Sequence, residues 1–126
     1  MDQQTILIIE DNQNNLMVMR DLLHLNGYKT LEAQDGPEGM RVTQEQQPDL
    51  VLMDIQLPTM DGYEATRQLK ADERTKHIPV IAVTSFALSG EEAKARAAGC
   101  DAYLSKPIDI HHTVGVIQEV LSREQA

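Results

Sequence analysis

Three acidic residues, Glu10, Asp11 and Asp54, are the strongest candidates for chemistry in this chain. Glu10 and Asp11 follow the apolar, β-branched segment 5–9, and Asp54 follows four consecutive apolar residues, 50–53. Uninterrupted apolar segments of this length are typical of strands that are buried on both faces of a parallel sheet. If the two strands are neighbours, the three carboxylates share one crevice, where their repulsion favours a bound divalent cation. The predicted ion is Mg²⁺.

Two further polar residues at predicted strand ends complement a phosphoryl group. Thr84 ends the apolar segment 80–83, and Lys106 follows a shorter apolar segment. A hydroxyl group and an ammonium group can both donate hydrogen bonds to phosphoryl oxygens. With the backbone carbonyl of Gln56 as a further Mg²⁺ ligand, this set predicts phosphoryl transfer. Asp54 would be the nucleophile and would form an acyl phosphate.

The elements that must position these residues alternate between strand and helix. The predicted strands are 5–9, 28–33, 50–54, 80–83 and 102–104, and a helix follows each of them. Five such units with right-handed crossovers predict an α/β flavodoxin-like (βα)5 fold, with a five-stranded parallel sheet of order 2-1-3-4-5 and helices on both faces. This order leaves the polar second strand and the short fifth strand at the edges. It also makes the first and third strands neighbours.

The last two predicted helices differ in how firmly they should pack. The fourth, 91–98, is rich in alanine, starts at a capping box of Ser89 and Glu92, and ends at Gly99. It has few large apolar side chains, so we expect the core to hold it lightly. The fifth helix is predicted to bury one apolar face, formed by Ile110, Val114, Ile117 and Leu121.

Length and composition exclude several classes of protein. A chain of 126 residues is expected to form a single domain, 1–126, without an effector domain. Its formal charge of -9 opposes binding to nucleic acid or to an anionic membrane surface. No apolar segment is long enough for membrane insertion, and the start lacks a secretory signal. With a single cysteine, the chain is predicted to be a cytoplasmic protein.

Four sequence motifs together carry a family resemblance. They are IIEDN at 8–12, MDIQLPTMDG at 53–62, IPVIAVT at 78–84 and LSKPI at 104–108. Through them the chain resembles the receiver domains of two-component response regulators over essentially its whole length. Within that family it is most similar to DivK-type single-domain regulators and to the receivers attached to hybrid histidine kinases.

The resemblance implies a function and a role for each site residue. Asp54 would accept a phosphoryl group from a histidine kinase or a histidine phosphotransfer protein. Asp11 would bind Mg²⁺ directly, with support from Glu10. The Thr84 hydroxyl and Lys106 would contact the phosphoryl group, Tyr103 would turn inward, and the peptide bond before Pro107 would be cis.

The same resemblance implies a signalling protein rather than an enzyme that turns over a separate substrate. The domain would catalyse its own phosphorylation and a slow autodephosphorylation. Its lifetime in the phosphorylated state would depend on Gln56 and Phe86. Output would pass to a downstream protein through the fourth helix, fifth strand and fifth helix, or by onward phosphotransfer.

Three other functions remain as alternatives. A pseudo-receiver would dock without being phosphorylated, but such proteins usually lack the acids or the lysine. A Mg²⁺-dependent phosphatase with an aspartyl-phosphate intermediate would need an acid where this chain has Gln56. A flavin-binding module would need more aromatic rings than three tyrosines and one phenylalanine supply.

Overall fold

Strands and helices alternate regularly in the computed structural model, which describes residues 3–85 and 90–125. The strands are β1 (Thr5–Ile9), β2 (Lys29–Ala33), β3 (Leu50–Asp54), β4 (Val80–Thr84) and β5 (Ala102–Ser105). The helices are α1 (Gln13–Leu25), α2 (Gly36–Gln46), α3 (Gly62–Ala71), α4 (Glu91–Ala98) and α5 (Ile110–Gln125). The strands form one parallel sheet in the order β2-β1-β3-β4-β5. The flavodoxin-like fold and strand order predicted from the sequence are thus confirmed.

The register of the central strands brings their polar ends level with one another. Ile9 of β1 pairs with Met53 of β3, so the next residues along each strand, Glu10 and Asp54, come side by side. On the other side of β3, Asp54 pairs with Val83 of β4. Each polar residue therefore emerges at the same edge of the sheet because the strands are parallel.

Two apolar layers cover the two faces of the sheet. The first contains α1 and α5, whose buried side chains include Leu16, Leu23 and Ile117. The second contains α3 and α4, with Leu69 and Ala95 among its members. Alternate residues of β1 and β3 enter opposite layers, as the two-residue period of a strand requires. Every residue of β3 and of β4, five in each strand, is buried for this reason.

The packing of the last two helices agrees in part with the prediction from the sequence. Ile110, predicted on the buried face of α5, is 57% exposed, because it stands at the first residue of the helix, where the chain enters from the loop. Val120 and Thr113 are buried on α5 instead. The expected light packing of α4 is observed, since its buried residues are two alanines. The predicted cap Ser89 lies outside the described residues.

None of the helices within residues 3–85 and 90–125 combines the length and the apolar character that crossing a bilayer requires.

Candidate phosphoacceptor and metal site

The three acidic residues singled out from the sequence lie together at the carboxyl edge of the sheet. One carboxylate oxygen from each of Glu10, Asp11 and Asp54 lies within 4.8 Å of the others. Glu10 and Asp54 are buried, with 3% and 5% exposure, whereas Asp11 is exposed. The cluster is therefore held by the core on one side and open to solvent on the other.

Local structure fixes the two acidic segments. After β1, the Asn12 side chain accepts a hydrogen bond from the backbone N–H of Asn15 at 3.0 Å and caps α1. After β3, the backbone N–H of Gly62 donates to the carbonyl of Ile55 at 2.8 Å, which returns the loop to the end of the strand. A Cβ atom at position 62 would lie 2.5 Å from the carbonyl oxygen of Asp54. Only glycine allows this approach.

Lys106 directly follows the carboxyl end of β5, and its side chain reaches the acidic cluster. Its Nζ atom donates a hydrogen bond to Oε1 of Glu10 at 2.8 Å and lies 3.6 Å from Oδ2 of Asp54. Its backbone N–H donates to the carbonyl of Thr84 at 2.7 Å, which ties the loop after β5 to the end of β4. The peptide bond between Lys106 and Pro107 is cis, the isomer that the family resemblance implied.

The pKa values of the two buried acids, Asp54 and Glu10, shift in opposite directions. Burial, followed by the hydrogen bond and charge of Glu10, raises the pKa of Asp54 to about 7. The Lys106 charge and the Gln56 N–H, which lies 3.1 Å from Oδ1, oppose this rise. Burial also tends to raise the pKa of Glu10, but its hydrogen bonds to Asp54, Lys106 and the Asn12 N–H outweigh burial and lower it. The pair thus shares its charge unequally, with the negative charge on Glu10.

The remaining predicted site residues take up different positions. Thr84 is the last residue of β4 and is fully buried beside the end of β3. Gln56 follows Asp54 by two residues and uses its N–H, not its side chain, to contact that carboxylate. Tyr103 lies on β5, partly exposed, and packs against the apolar layer that contains α3 and α4. Phe86 lies outside the described residues.

The chemistry of the donor set fits a hard divalent cation. Mg²⁺ binds carboxylate oxygens and keeps several waters, which suits two buried acids beside one exposed acid. Burial, and then the neighbouring Glu10, raise the pKa of Asp54, so added positive charge would favour its ionised form. Lys106 supplies one positive charge here, and a cation among the three acids would supply two more.

A cavity of about 250 Å³ adjoins the cluster and opens between α1 and the loop after β5. Glu10 and Lys106 form its polar wall, and the other lining residues are Asn15, Val18, Met19, Pro107 and Ile108. The cavity gives a group from outside access to the acidic cluster along a mostly apolar wall.

Sequence reasoning missed one contact near this site. Tyr63, which follows Gly62, donates a hydrogen bond from its hydroxyl group to the Glu91 carboxylate at 2.6 Å. The two residues are 28 positions apart, and no motif or spacing connects them. The signal available in the sequence was a tyrosine directly after a glycine at a helix start.

Comparison with known proteins agrees with this geometry. The sequence family described as Response regulator receiver domain matches residues 6–118. The chain belongs to this family. As a receiver domain it is a signalling protein of the two-component type, and the resemblance inferred from its motifs is confirmed.

Individual relatives cover nearly the whole receiver domain. The polar-differentiation response regulator DivK of Brucella ovis is 46% identical over 118 residues, which are 94% of this chain and 96% of that protein. DivK of Brucella anthropi is 45% identical over the same shares of both chains. These similarities make the chain a DivK-like receiver.

Solved structures support the same assignment. The receiver domain of the sensor histidine kinase PA1611 from Pseudomonas aeruginosa PAO1 is 37% identical, with a TM-score of 0.84 and coverage of 97% of both chains. That structure holds a magnesium ion in its active site cleft. A CheY-like receiver domain from Methanospirillum hungatei JF-1 is 27% identical, with a TM-score of 0.90 and coverage of 98% of both chains.

Proposed function

We propose that Asp54 of this receiver domain accepts a phosphoryl group from a phosphohistidine, in a reaction that requires Mg²⁺. The donor would be a histidine kinase or a histidine phosphotransfer protein. The domain would then signal by phosphorylation-dependent protein binding or by onward phosphotransfer, in the cytoplasm. The observation that carries the proposal is the placement of Lys106 and two further acids around Asp54 at one sheet edge.

The chemical step needs few participants. A carboxylate oxygen of Asp54 forms a bond to phosphorus, and the phosphorus–nitrogen bond of the phosphohistidine breaks. The bonding electron pair stays on the imidazole nitrogen, so the donor leaves as histidine. Asp54 must be ionised to attack, and because its pKa is raised to about 7, additional positive charge would increase the ionised fraction at neutral pH.

Mg²⁺ would be held by Asp11, Asp54 and the backbone carbonyl of Gln56, with Glu10 in support. When bound, the ion supplies positive charge that favours the ionised carboxylate and neutralises phosphoryl oxygens. The chain's own contribution is Lys106, whose ammonium group lies 3.6 Å from Asp54 and can move from Glu10 to a phosphoryl oxygen. The Thr84 hydroxyl, at the end of the neighbouring strand, would donate to a second oxygen.

Phosphorylation would change the surface formed by α4, β5 and α5. The new group adds about 1.5 to 2 negative charges and three acceptor oxygens beside the ends of β4 and β5. Donors from Thr84 and Lys106 would move toward it, and Tyr103 on β5 would turn inward. Because α4 buries only small side chains, it is the element that can respond at least cost.

The direct test is incubation with acetyl phosphate and Mg²⁺, followed by intact mass measurement. We expect one phosphoryl adduct in the wild type, none in the presence of EDTA and none in Asp54→Asn. Asp21→Asn, which changes an exposed acid on α1, is the matched control and should be labelled like the wild type. Labelling from a purified phosphorylated histidine kinase or phosphotransfer protein would extend the test to the biological donor.

Two results would contradict the proposal. An adduct that persists in Asp54→Asn would remove Asp54 from the role. A folded protein that binds Mg²⁺ and forms no adduct with any donor would instead be a docking module that uses the receiver fold without its chemistry.

A further inference from the structure

Tyr63 of α3 and Glu91 of α4 are joined by hydrogen bonds. The Tyr63 hydroxyl lies 2.6 Å from Oε2 of Glu91 and 3.3 Å from the backbone carbonyl oxygen of the same residue. A phenol has one proton to donate, so the shorter bond to the carboxylate is the stronger contact. The Glu91 side chain is only 14% exposed, which means that little water competes for it. This contact holds the first residue of α4 against α3.

The two ends of this contact are attached to different parts of the phosphoacceptor site. Tyr63 follows Gly62, which is clamped to the end of β3 by its hydrogen bond to Ile55 and by its close approach to the Asp54 carbonyl. Glu91 instead belongs to the chain that continues from Thr84 at the end of β4, seven residues earlier in the sequence. We therefore expect a displacement of the β4 end relative to β3 to change the distance between Tyr63 and Glu91.

Other interactions at the start of α4 are weak. Its N-cap is Gly90, in the left-handed conformation and without a side chain to cap the helix. Its buried residues are Ala95 and Ala98, whereas α1 buries four larger side chains. Lys94 lies 3.5 Å from the Glu91 carboxylate but is itself 66% exposed, so this pair adds little. Within the described residues, the Tyr63 hydrogen bond is the main polar contact that fixes this end of the helix.

The ionisation states favour the contact at neutral pH. Burial, and then the hydrogen bond and charge of Glu91, raise the pKa of Tyr63, so the hydroxyl keeps its proton. The same hydrogen bond lowers the pKa of Glu91, so the carboxylate stays ionised. Burial raises the pKa of Tyr103, and the charges of Glu91 and Glu92 add to this rise.

We propose that Tyr63 is a positioning residue that tethers the first turn of α4 in the unphosphorylated protein, and that phosphorylation of Asp54 acts against this tether. This inference rests on the proposed function. A phosphoryl group on Asp54 attracts the donors at the ends of β4 and β5, and Thr84 carries the chain toward α4 with it. Tyr63 stays with β3, so the Tyr63–Glu91 bond must lengthen or break as the output surface rearranges.

Linkage gives this tether a measurable consequence. The Tyr63–Glu91 bond stabilises only the unphosphorylated conformation, so it must break when the protein changes to the phosphorylated conformation. It therefore weakens the binding of any ligand that prefers the phosphorylated conformation. Removing the bond therefore strengthens binding of a phosphoryl mimic. A hydrogen bond to a charged group corresponds to a change of roughly tenfold in such an equilibrium.

The experiment uses Tyr63→Phe, which removes the hydroxyl and keeps the ring. Beryllofluoride with Mg²⁺ imitates a phosphoryl group on a carboxylate, and its affinity is measured by isothermal titration calorimetry. We expect a dissociation constant lower than that of the wild type by about three- to tenfold. Hydrogen exchange of the α4 amides should be faster in the unliganded variant. Tyr28→Phe, beside the opposite edge strand β2, is the matched control and should change neither quantity.

A second variant removes the acceptor and separates the tether from a general loss of packing. Glu91→Ala should also strengthen beryllofluoride binding, and the double variant with Tyr63→Phe should show less than the product of the two single effects. If the wild type and Tyr63→Phe bind beryllofluoride with equal affinity, or if the effects of the two single variants simply multiply in the double variant, the tether is wrong and the proposed function is unaffected. A wild-type protein that binds no beryllofluoride would overturn the proposed function, and the tether with it.

Discussion

Lys106 donates a 2.8 Å hydrogen bond to Glu10, a residue 96 positions earlier in the chain. The Lys106 side chain is 16% exposed and the Glu10 side chain 4%, so the pair is largely removed from water. The same ammonium group lies 3.6 Å from Asp54. Among the described residues, Lys106 is thus the cation that pairs with both buried acids. We therefore expect it to stabilise the metal-free site as well as to take part in its chemistry.

Replacing Lys106 by methionine should destabilise the metal-free protein. Methionine keeps the length of the side chain but leaves Glu10 and Asp54 without a counter-charge, which should lower the free energy of unfolding by about 1–3 kcal/mol. Saturating Mg²⁺ should reduce this loss, because the cation replaces the missing charge. Urea unfolding in EDTA and in Mg²⁺ measures both values.

The control for Lys106 is Lys29→Met, on the exposed edge strand β2, which should change stability by less than about 0.5 kcal/mol. An equal loss for Lys106→Met with and without Mg²⁺ would argue against a shared role of the lysine and the cation.

The stability of the metal-free protein should depend on pH through Asp54. Because its pKa is raised from 3.8 to about 7, the folded state binds a proton more tightly than the unfolded chain. The resulting stabilisation is complete below about pH 4 and is lost as the pH rises toward 7. Asp54→Asn removes this loss, so the variant should gain stability over the wild type with rising pH, by on the order of 4 kcal/mol at pH 8. Urea unfolding in EDTA at several pH values tests this, and a difference that does not change with pH would contradict it.

Asp11→Asn should separate metal binding from stability. Asp11 is the exposed member of the cluster, so its loss removes one proposed metal ligand without leaving a buried charge unpaired. We expect the dissociation constant for Mg²⁺ to rise by about tenfold or more, while metal-free stability changes by less than about 0.5 kcal/mol. Magnesium titration by calorimetry measures the affinity, and Asp21→Asn on α1 should leave it unchanged. Unaltered Mg²⁺ affinity in Asp11→Asn would exclude Asp11 as a ligand.

Gly62→Ala should disturb the end of β3. Its Cβ would lie 2.5 Å from the Asp54 carbonyl oxygen and 2.8 Å from the Cα of Ile55, and backbone atoms cannot yield as a side-chain end can. We expect a loss of about 1–3 kcal/mol in the free energy of unfolding and slower labelling of Asp54 by acetyl phosphate. Thermal unfolding and intact mass measure the two effects.

Gly115→Ala provides the comparison, because a Cβ there has nothing within 4 Å and lies in the interior of α5. This variant should gain about 0.5–1 kcal/mol and should be labelled at the wild-type rate. A loss of stability at position 115 as large as that at position 62 would show that the close approach to Asp54 is not the cause.

The sequence alone determined the architecture of this receiver domain and the placement of its acids. Short apolar segments without alternation are typical of buried strands when helices separate them, and the carboxyl ends of parallel strands lie at one edge of the sheet. Glu10, Asp11 and Asp54 were therefore expected together, and the structure brings them together. The position of Lys106 after β5 followed from the same rule.

Only the tertiary structure decided how these groups pair. Which acid Lys106 contacts, and which acid keeps the proton, depends on differences of less than 1 Å and on burial, neither of which a one-dimensional pattern contains. Ile110 has the spacing of a buried residue but is exposed, because the end of a helix is not covered as its middle is. No motif or spacing in the sequences of α3 and α4 predicts the Tyr63–Glu91 contact. It forms because the two helices pack on the same face of the sheet.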